Sequence, residues 1–216
     1  MLSQANRRCA SERPPPSAGS GVGKAWRGQD VAWARRGVGE TVGMGVLLRR
    51  AVPGDELAVA ELHVRSWQVA YRRLLPDEFL DALRPEERAS RYTFAGDGPE
   101  QPVTTLALDP TASEAVAGFV TFGPSRDADR PADAEIYALY VDPRRFGSGV
   151  GRALLIDARR RLVSDGYGSA LLWVLAGNER AAAFYAVDGW VPDGTDRVED
   201  VHGVTARVTR FRRSLV

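Results

Sequence analysis

The sequence is poor in the residues that mark several common protein classes. It holds one cysteine, Cys9, which excludes an internal disulfide and any cysteine-based metal cluster. The two histidines, His63 and His202, are too few and too far apart along the chain to suggest a zinc site. No apolar run approaches the ~20 residues that a membrane helix needs. The opening residues, MLSQANRRCASERPPP, lack the apolar stretch of a secretory signal. Lys and Arg (29) nearly balance Asp and Glu (28), for a net charge of +1, so no global field favours nucleic acid or a membrane surface. What is present is a chain of 216 residues with 44% hydrophobic content, enough for one packed domain and an additional segment. A cytoplasmic location is the default expectation.

The additional segment is the N-terminal one. Residues 1–45 carry PPPS, GSGVGK and RRGVG, few clustered apolar residues and an excess of Arg and Lys, and read as a disordered or poorly structured basic leader. GSGVGKA is not a P-loop, because Ala18 stands where the first glycine belongs and Ala25 where Ser or Thr belongs. Trp26 and Trp33 leave room for a short local helix. The globular domain is expected over 46–216. VLLRRAV reads as its first strand, followed by a helix that Asp55 is placed to cap. LLPDEFLDAL and RPEERASRYTF continue as helical pieces. PVTTLALD and EAVAGFVTFGP read as a strand pair joined at Asp109-Pro110. SRDADRPADA is a polar connection expected on the surface.

The chain then reaches EIYALYVDPRRFGSGVGR, residues 135–152. Its first eight residues are rich in β-branched and aromatic types and read as a buried strand. Pro143 stops that strand, since it has no N–H to donate. Gly147, Gly149 and Gly151 follow on alternate positions. Leu154, Leu155, Ala158 and Leu162 then recur at helical spacing, with Arg152, Arg159 and Arg160 left for water. Strand, glycine turn and helix suit an anion: the helix mouth offers free N–H groups, and glycines remove the Cβ atoms that would hold a phosphate away. A dinucleotide fingerprint would need a glycine at Arg152, and a P-loop a Lys-Ser/Thr after the last glycine. Neither is met. The plain alternative is a tight turn feeding a core helix.

Further on, Gly166 is placed to end that helix in the left-handed conformation. SALLWVLA reads as a strand that must run parallel to the central one, because a helix crosses between them. Asn178 can cap a short helix ending at Gly189. GVTARVTRFRR closes the chain as a strand whose Val204, Ala206, Val208 and Phe211 suit a sheet packed on one side.

Two of these stretches resemble the GNAT superfamily of acetyltransferases. EIYALYVDPRRFGSGVGRALL is similar to its acetyl-CoA-binding motif, a strand ending in Leu-Tyr-Val-x-Pro, then Gln/Arg-x-x-Gly-x-Gly/Ala and a long helix. Asn178, Ala181, Phe184, Tyr185, Gly189 and Trp190 fill its second signature without a gap. Phe146 departs from the pattern, since the family usually has Gln or Arg there; Arg145 and Arg152 could supply some of the missing charge. SWQVAYRRLLP resembles the two-helix excursion that forms one wall of the family's acceptor pocket, which makes His63, Trp67 and Tyr71 candidates for substrate contact. The ordinary alternative for Trp67 is a core position.

The resemblance implies an α/β fold with a mixed, mostly antiparallel central sheet, a splayed parallel pair and flanking helices. It implies acetyl-CoA as co-substrate, held by Leu139, Tyr140, Val141, Phe146, Gly147, Ser148, Gly149, Val150, Gly151, Arg152 and Asn178, with no metal. Glu135 is the expected general base and Tyr185 the acid for the departing thiolate; a phenol of pKa ~10 keeps its proton at neutral pH. The backbone N–H near Val141 would face the thioester oxygen. The expected activity is transfer of an acetyl group to a primary amine of a small molecule or peptide. A non-catalytic acyl-CoA-binding regulatory protein of the same fold is the alternative. Members of the family often pair through sheet edges or C-terminal strands, so a homodimer is an implied partner.

Overall fold

The computed structural model describes residues 40–42, 46–96, 98, 101–111, 115–201 and 203–216. The expected leader, apart from residues 40–42, lies outside them, as do Cys9, Trp26, Trp33 and His202. In chain order the elements are β1 (Glu40–Val42), β2 (Val46–Arg50), α1 (Glu56–Ala70), α2 (Asp77–Ala82), α3 (Pro85–Ala89), β3 (Val103–Asp109), β4 (Ala115–Pro124), β5 (Ala134–Val141), α4 (Val150–Ser164), β6 (Ser169–Leu175), α5 (Glu179–Val187), β7 (Val191–Val201) and β8 (Val204–Ser214). Among the described residues eight strands form one sheet in the order β1-β2-β3-β4-β5-β6-β8-β7. Every neighbouring pair is antiparallel except β5 and β6, as the helical crossover between them requires. None of the described helices is long and apolar enough to cross a membrane.

Strand alternation divides the core between the two faces of the sheet. Ala107 and Val120 pack with Leu154, Leu155, Ala158 and Leu162 of α4, while Leu106 and Phe119 pack with Val59 and Leu62 of α1. A third cluster joins Trp67, Leu75 and Leu80 to Ala206 of β8. The four α4 side chains are at most 1% exposed; burying each leucine contributes roughly 1.5–3 kcal/mol.

The parallel pair is short. Only Ala134↔Ala170, Glu135↔Leu171 and Ile136↔Leu172 are in register, although β5 runs on to Val141 and β6 to Leu175. A bulge accompanies the parting: Thr121 faces Ala138 but Phe122 faces Ile136, leaving Tyr137 as the extra residue of β5. Bulges bend a strand and increase its twist, which carries β5 away from β6 at this point. The expected splayed pair is therefore present.

Several local expectations are corrected. Asp55 precedes α1, but its side chain makes no capping bond; both carboxylate oxygens are taken by Arg49 at 2.7 and 2.8 Å. The 125–133 connection is not a solvated loop. Asp127 and Asp133 are buried because arginines of β7 and β8 reach them: Arg197 and Arg210 bind Asp127, and Arg212 binds Asp133. β8 packs on both faces, with Ala206 against the α1 and α2 side and Phe211 against the α4 side. β7 has no counterpart in the sequence reading.

Candidate active site

The parted strands open a cleft of about 590 Å³ that passes through the sheet. Leu139, Val141, Leu155 and Phe184 line it on the α4 side, and Tyr71, Ala138, Tyr140 and Leu175 on the α1 side. The Asp142 N–H bonds Ala117 of β4 at 2.9 Å. By the alternation of an antiparallel ladder, the backbone groups of Leu139 and Val141 then point the other way, into the gap that β6 has left. One of them is already used: the Ser66 hydroxyl donates to the Val141 carbonyl at 3.0 Å.

At the end of β5 the chain turns through a short 3-10 segment, Pro143–Arg145. Asp142 organises the turn. Its carboxylate accepts from the Arg144 N–H at 2.9 Å and from the guanidinium groups of Arg144 and Arg65 at 2.7 and 3.0 Å. Arg144, joined by Arg65, holds this carboxyl down at about 2 despite its burial. Because Arg65 belongs to α1, the same carboxylate ties α1 to the turn. Gly147 and Gly149 adopt φ of +79° and +88°, a conformation that costs a residue with a Cβ roughly 1–2 kcal/mol.

The first bond into α4 runs from the Ala153 N–H to the Gly149 carbonyl at 3.0 Å. The N–H groups of Val150, Gly151 and Arg152 thus come before the helical ladder, and an added Cβ at Gly147 would meet nothing within 4 Å. Open space and free donors at a helix mouth fit a phosphate group.

Most of the expected co-substrate residues line the cleft: Leu139, Tyr140, Val141, Phe146, Gly147, Gly149, Gly151, Arg152 and Asn178. Ser148 and Val150 do not. The Ser148 hydroxyl donates back to the Arg145 carbonyl at 2.6 Å, and Val150 is a core residue with 3% exposure. Asn178 accepts from the Ala181 N–H at 3.1 Å, which leaves its amide NH₂ available. Arg145 lines the cleft but is ion-paired with Asp109. Arg180, absent from the sequence reading, lies with its guanidinium 3.4 Å from the centroid of the Phe146 ring.

The two expected catalytic side chains are not brought together. Tyr185 lines the cleft, and its hydroxyl has no hydrogen-bond partner among the described residues. Burial, with the Tyr140 phenol nearby, pushes its pKa up. Glu135 is not part of the lining. It lies in the zipped part of β5 with 1% exposure, and Arg126 occupies both carboxylate oxygens.

On the α1 side, Tyr71 and Tyr140 flank the Trp67 ring, with centroids 5.2 and 6.5 Å from it, and burial raises both phenols. Of the three acceptor-wall candidates only Tyr71 lines the cleft. Trp67 is 6% exposed, and His63 stacks under Tyr140 at 4.4 Å while bonding Tyr92 and Arg88. Trp173, also missed from the sequence, lines the cleft from β6 beneath the Arg197 guanidinium. Tyr71, Tyr137, Tyr140 and Trp173 thus form an aromatic stretch of the lining, and Asp188 is the one carboxylate of the described lining.

Comparison with known proteins agrees with this geometry. The family model described as acetyltransferase (GNAT) family matches residues 57–190. The uncharacterized N-acetyltransferase YuaI of Bacillus subtilis (strain 168) is 30% identical over 133 residues, 62% of this chain and 73% of that protein. A mycothiol acetyltransferase of Saccharomonospora viridis is 33% identical over 158 residues, 70% of this chain but 48% of its own length; the chain spans about half of that relative. The crystal structure of PaiA N-acetyltransferase from Thermoplasma acidophilum in complex with coenzyme A superposes with a TM-score of 0.58 at 19% identity, covering 78% of this chain and 98% of that one. With a matching family model over more than half its length and the forked sheet that its motif predicts, the chain belongs to the acetyltransferase (GNAT) family, whose co-substrate is acetyl-CoA.

Proposed function

We propose that the protein transfers the acetyl group of acetyl-CoA directly to a primary amine of a small molecule or peptide, with no covalent enzyme intermediate. The observation that carries this reading is the fork: β5 and β6 pair over three residues and then part beside a glycine turn. A thioester threaded through the fork would lie along the backbone of Leu139 and Val141, whose N–H groups are fixed donors for the charge that grows on its oxygen. The turn and the mouth of α4 would take the phosphates. Holding both partners in one cleft turns a bimolecular encounter into an oriented one.

Tyr185 is the proton donor in this scheme. Its raised pKa keeps the phenol neutral, and its unengaged hydroxyl can give a proton to the leaving sulfur. Glu135 is not assigned the base role, because Arg126 holds its carboxylate outside the cleft. The amine instead loses its proton to solvent at the open acceptor side, and the aromatic wall there excludes water from the body of the acceptor.

The test is calorimetric titration of the purified chain with CoA, followed by thiol release from acetyl-CoA against a panel of primary amines. Binding and turnover are expected, with the rate following the free-base fraction of the amine as pH rises. Failure to bind CoA would overturn the reading. Binding without turnover on any amine would favour the regulatory alternative, to which the engaged Glu135 lends support.

A further inference from the structure

We propose that Arg180, seated on the ring of Phe146, is the side chain that grips the pyrophosphate of the co-substrate. This rests on the acetyl-CoA reading above and assigns a contact that the glycine turn alone does not supply.

The turn offers backbone donors but little charge of its own. Arg145, Arg152 and Arg180 are the three arginines of the cleft lining. Arg145 is neutralised by Asp109. Neither Arg152 nor Arg180 makes an ion pair or hydrogen bond among the described residues. What separates these two is preorganisation. Arg152 is exposed on α4 with nothing to fix its side chain, so an ion would have to order several rotatable bonds. Arg180 already sits over the Phe146 ring, its guanidinium carbon 3.4 Å from the centroid, a separation so short that only a face-on guanidinium fits it.

Stacking of this kind uses the face of the guanidinium and leaves its N–H groups pointing outward in the plane. They form a fork suited to two oxygens of a phosphate. The position is suited as well, since Phe146 directly precedes Gly147 and the mouth of α4. Asp188, the one carboxylate of the described lining, does not compete, since it is bonded to Arg159 and Arg213 at 3.1 and 3.0 Å. Phe146 therefore does not impair the anion site. It serves as a platform for a cation delivered from α5, in place of a polar side chain at its own position.

The test compares CoA and dephospho-CoA, which lacks the 3′-phosphate, by calorimetric titration of the full chain and two variants. Arg180→Gln is expected to weaken both ligands by the same factor, roughly tenfold, the size of one charge-assisted contact. Phe146→Leu keeps bulk but removes the ring, and is expected to weaken both several-fold. Wild-type affinity in Arg180→Gln overturns the proposal. A loss confined to CoA also overturns it, because the contact is then with the 3′-phosphate. Unchanged affinity in Phe146→Leu removes the seating. If the wild-type chain itself binds neither ligand, both this inference and the acetyl-CoA reading fall, whereas wild-type binding with an indifferent Arg180→Gln sinks this inference alone.

Discussion

Arg126 covers Glu135. The guanidinium Nη2 reaches one carboxylate oxygen at 2.5 Å, and Nε and the backbone N–H reach the other at 3.2 and 3.0 Å. The carboxylate side chain is 2% exposed and the arginine 63%, so the arginine closes the carboxylate off from water. The same guanidinium lies over Tyr137, 4.2 Å from its ring centroid. The pair thus fastens the 125–133 connection to β5 where the bulge begins.

Glu135→Gln accordingly tests structure against chemistry. The expected outcome is a loss of about 1–2 kcal/mol in stability, from a weakened buried hydrogen-bond set, with kcat within a few-fold of wild type. Urea midpoints and initial rates measure the two. A fall in kcat of ~10²-fold with an unchanged midpoint would instead identify Glu135 as the base.

Tyr185→Phe removes one hydroxyl and keeps the ring that packs against Phe184 and Trp190. The expected result is a fall of ~10²-fold in kcat with little change in the KM for acetyl-CoA, the pattern of a group that acts only as the sulfur departs. The deficit should shrink with an acetyl thioester whose thiol has a lower pKa, since such a thiolate leaves without help. An equal deficit with both thioesters would make Tyr185 a packing residue.

Much of this fold was legible because its signals are local. The apolar spacing of α4, the cap at Asn178, the left-handed Gly166 and the strand–turn–helix around Pro143 each depend on residues within a few positions of one another. The parallel setting of β6 followed from its helical crossover. β7 was not legible. Its residues alternate between partly buried and exposed, but the inward positions include Asp193, Thr195, Arg197 and Glu199, so no apolar period marks it. What makes it a strand is the arginine-rich β8 beside it, and that pairing is not written in either segment alone. The same holds for Glu135: its position matched a catalytic base, while Arg126, which occupies it, lies nine residues earlier in a stretch that reads as loop. Arg180 was missed because its significance comes from Phe146, 34 positions away and on a different element.

The tyrosines give the fold a defined alkaline limit. Of six, Tyr71, Tyr92, Tyr137, Tyr140 and Tyr185 have phenols raised above the ordinary value, chiefly by burial, and Tyr137 is pushed up to about 12. In the unfolded chain these phenols ionise near ~10. The folded state therefore keeps protons that the unfolded state gives up, so this contribution is complete below pH ~10 and is lost as pH rises beyond it. Stability should fall progressively above that point, and tyrosinate absorbance should develop together with unfolding. Titration of most phenols while the circular dichroism stays native would contradict the burial assigned to them.

Gly118 offers the sharpest test of how the fork is held open. It lies on β4 opposite Val141, and an added Cβ would stand 2.9 Å from the Tyr140 carbonyl oxygen and 3.0 Å from side-chain atoms of both Leu154 and Val150. The first of these is backbone and cannot swing aside. Tyr140 belongs to β5 and the other two residues to α4, so Gly118→Ala must shift both, and with them the glycine turn that joins them and the N–H groups of Val150, Gly151 and Arg152. Overpacking of this kind costs about 1–3 kcal/mol. Because the strain falls on the mouth of α4, the KM for acetyl-CoA should rise by ~10-fold or more, while the KM for the amine, whose wall draws also on Tyr71 and on Trp173 of β6, should move less. If both constants move together, or neither does, α4 is not registered against the sheet through this glycine.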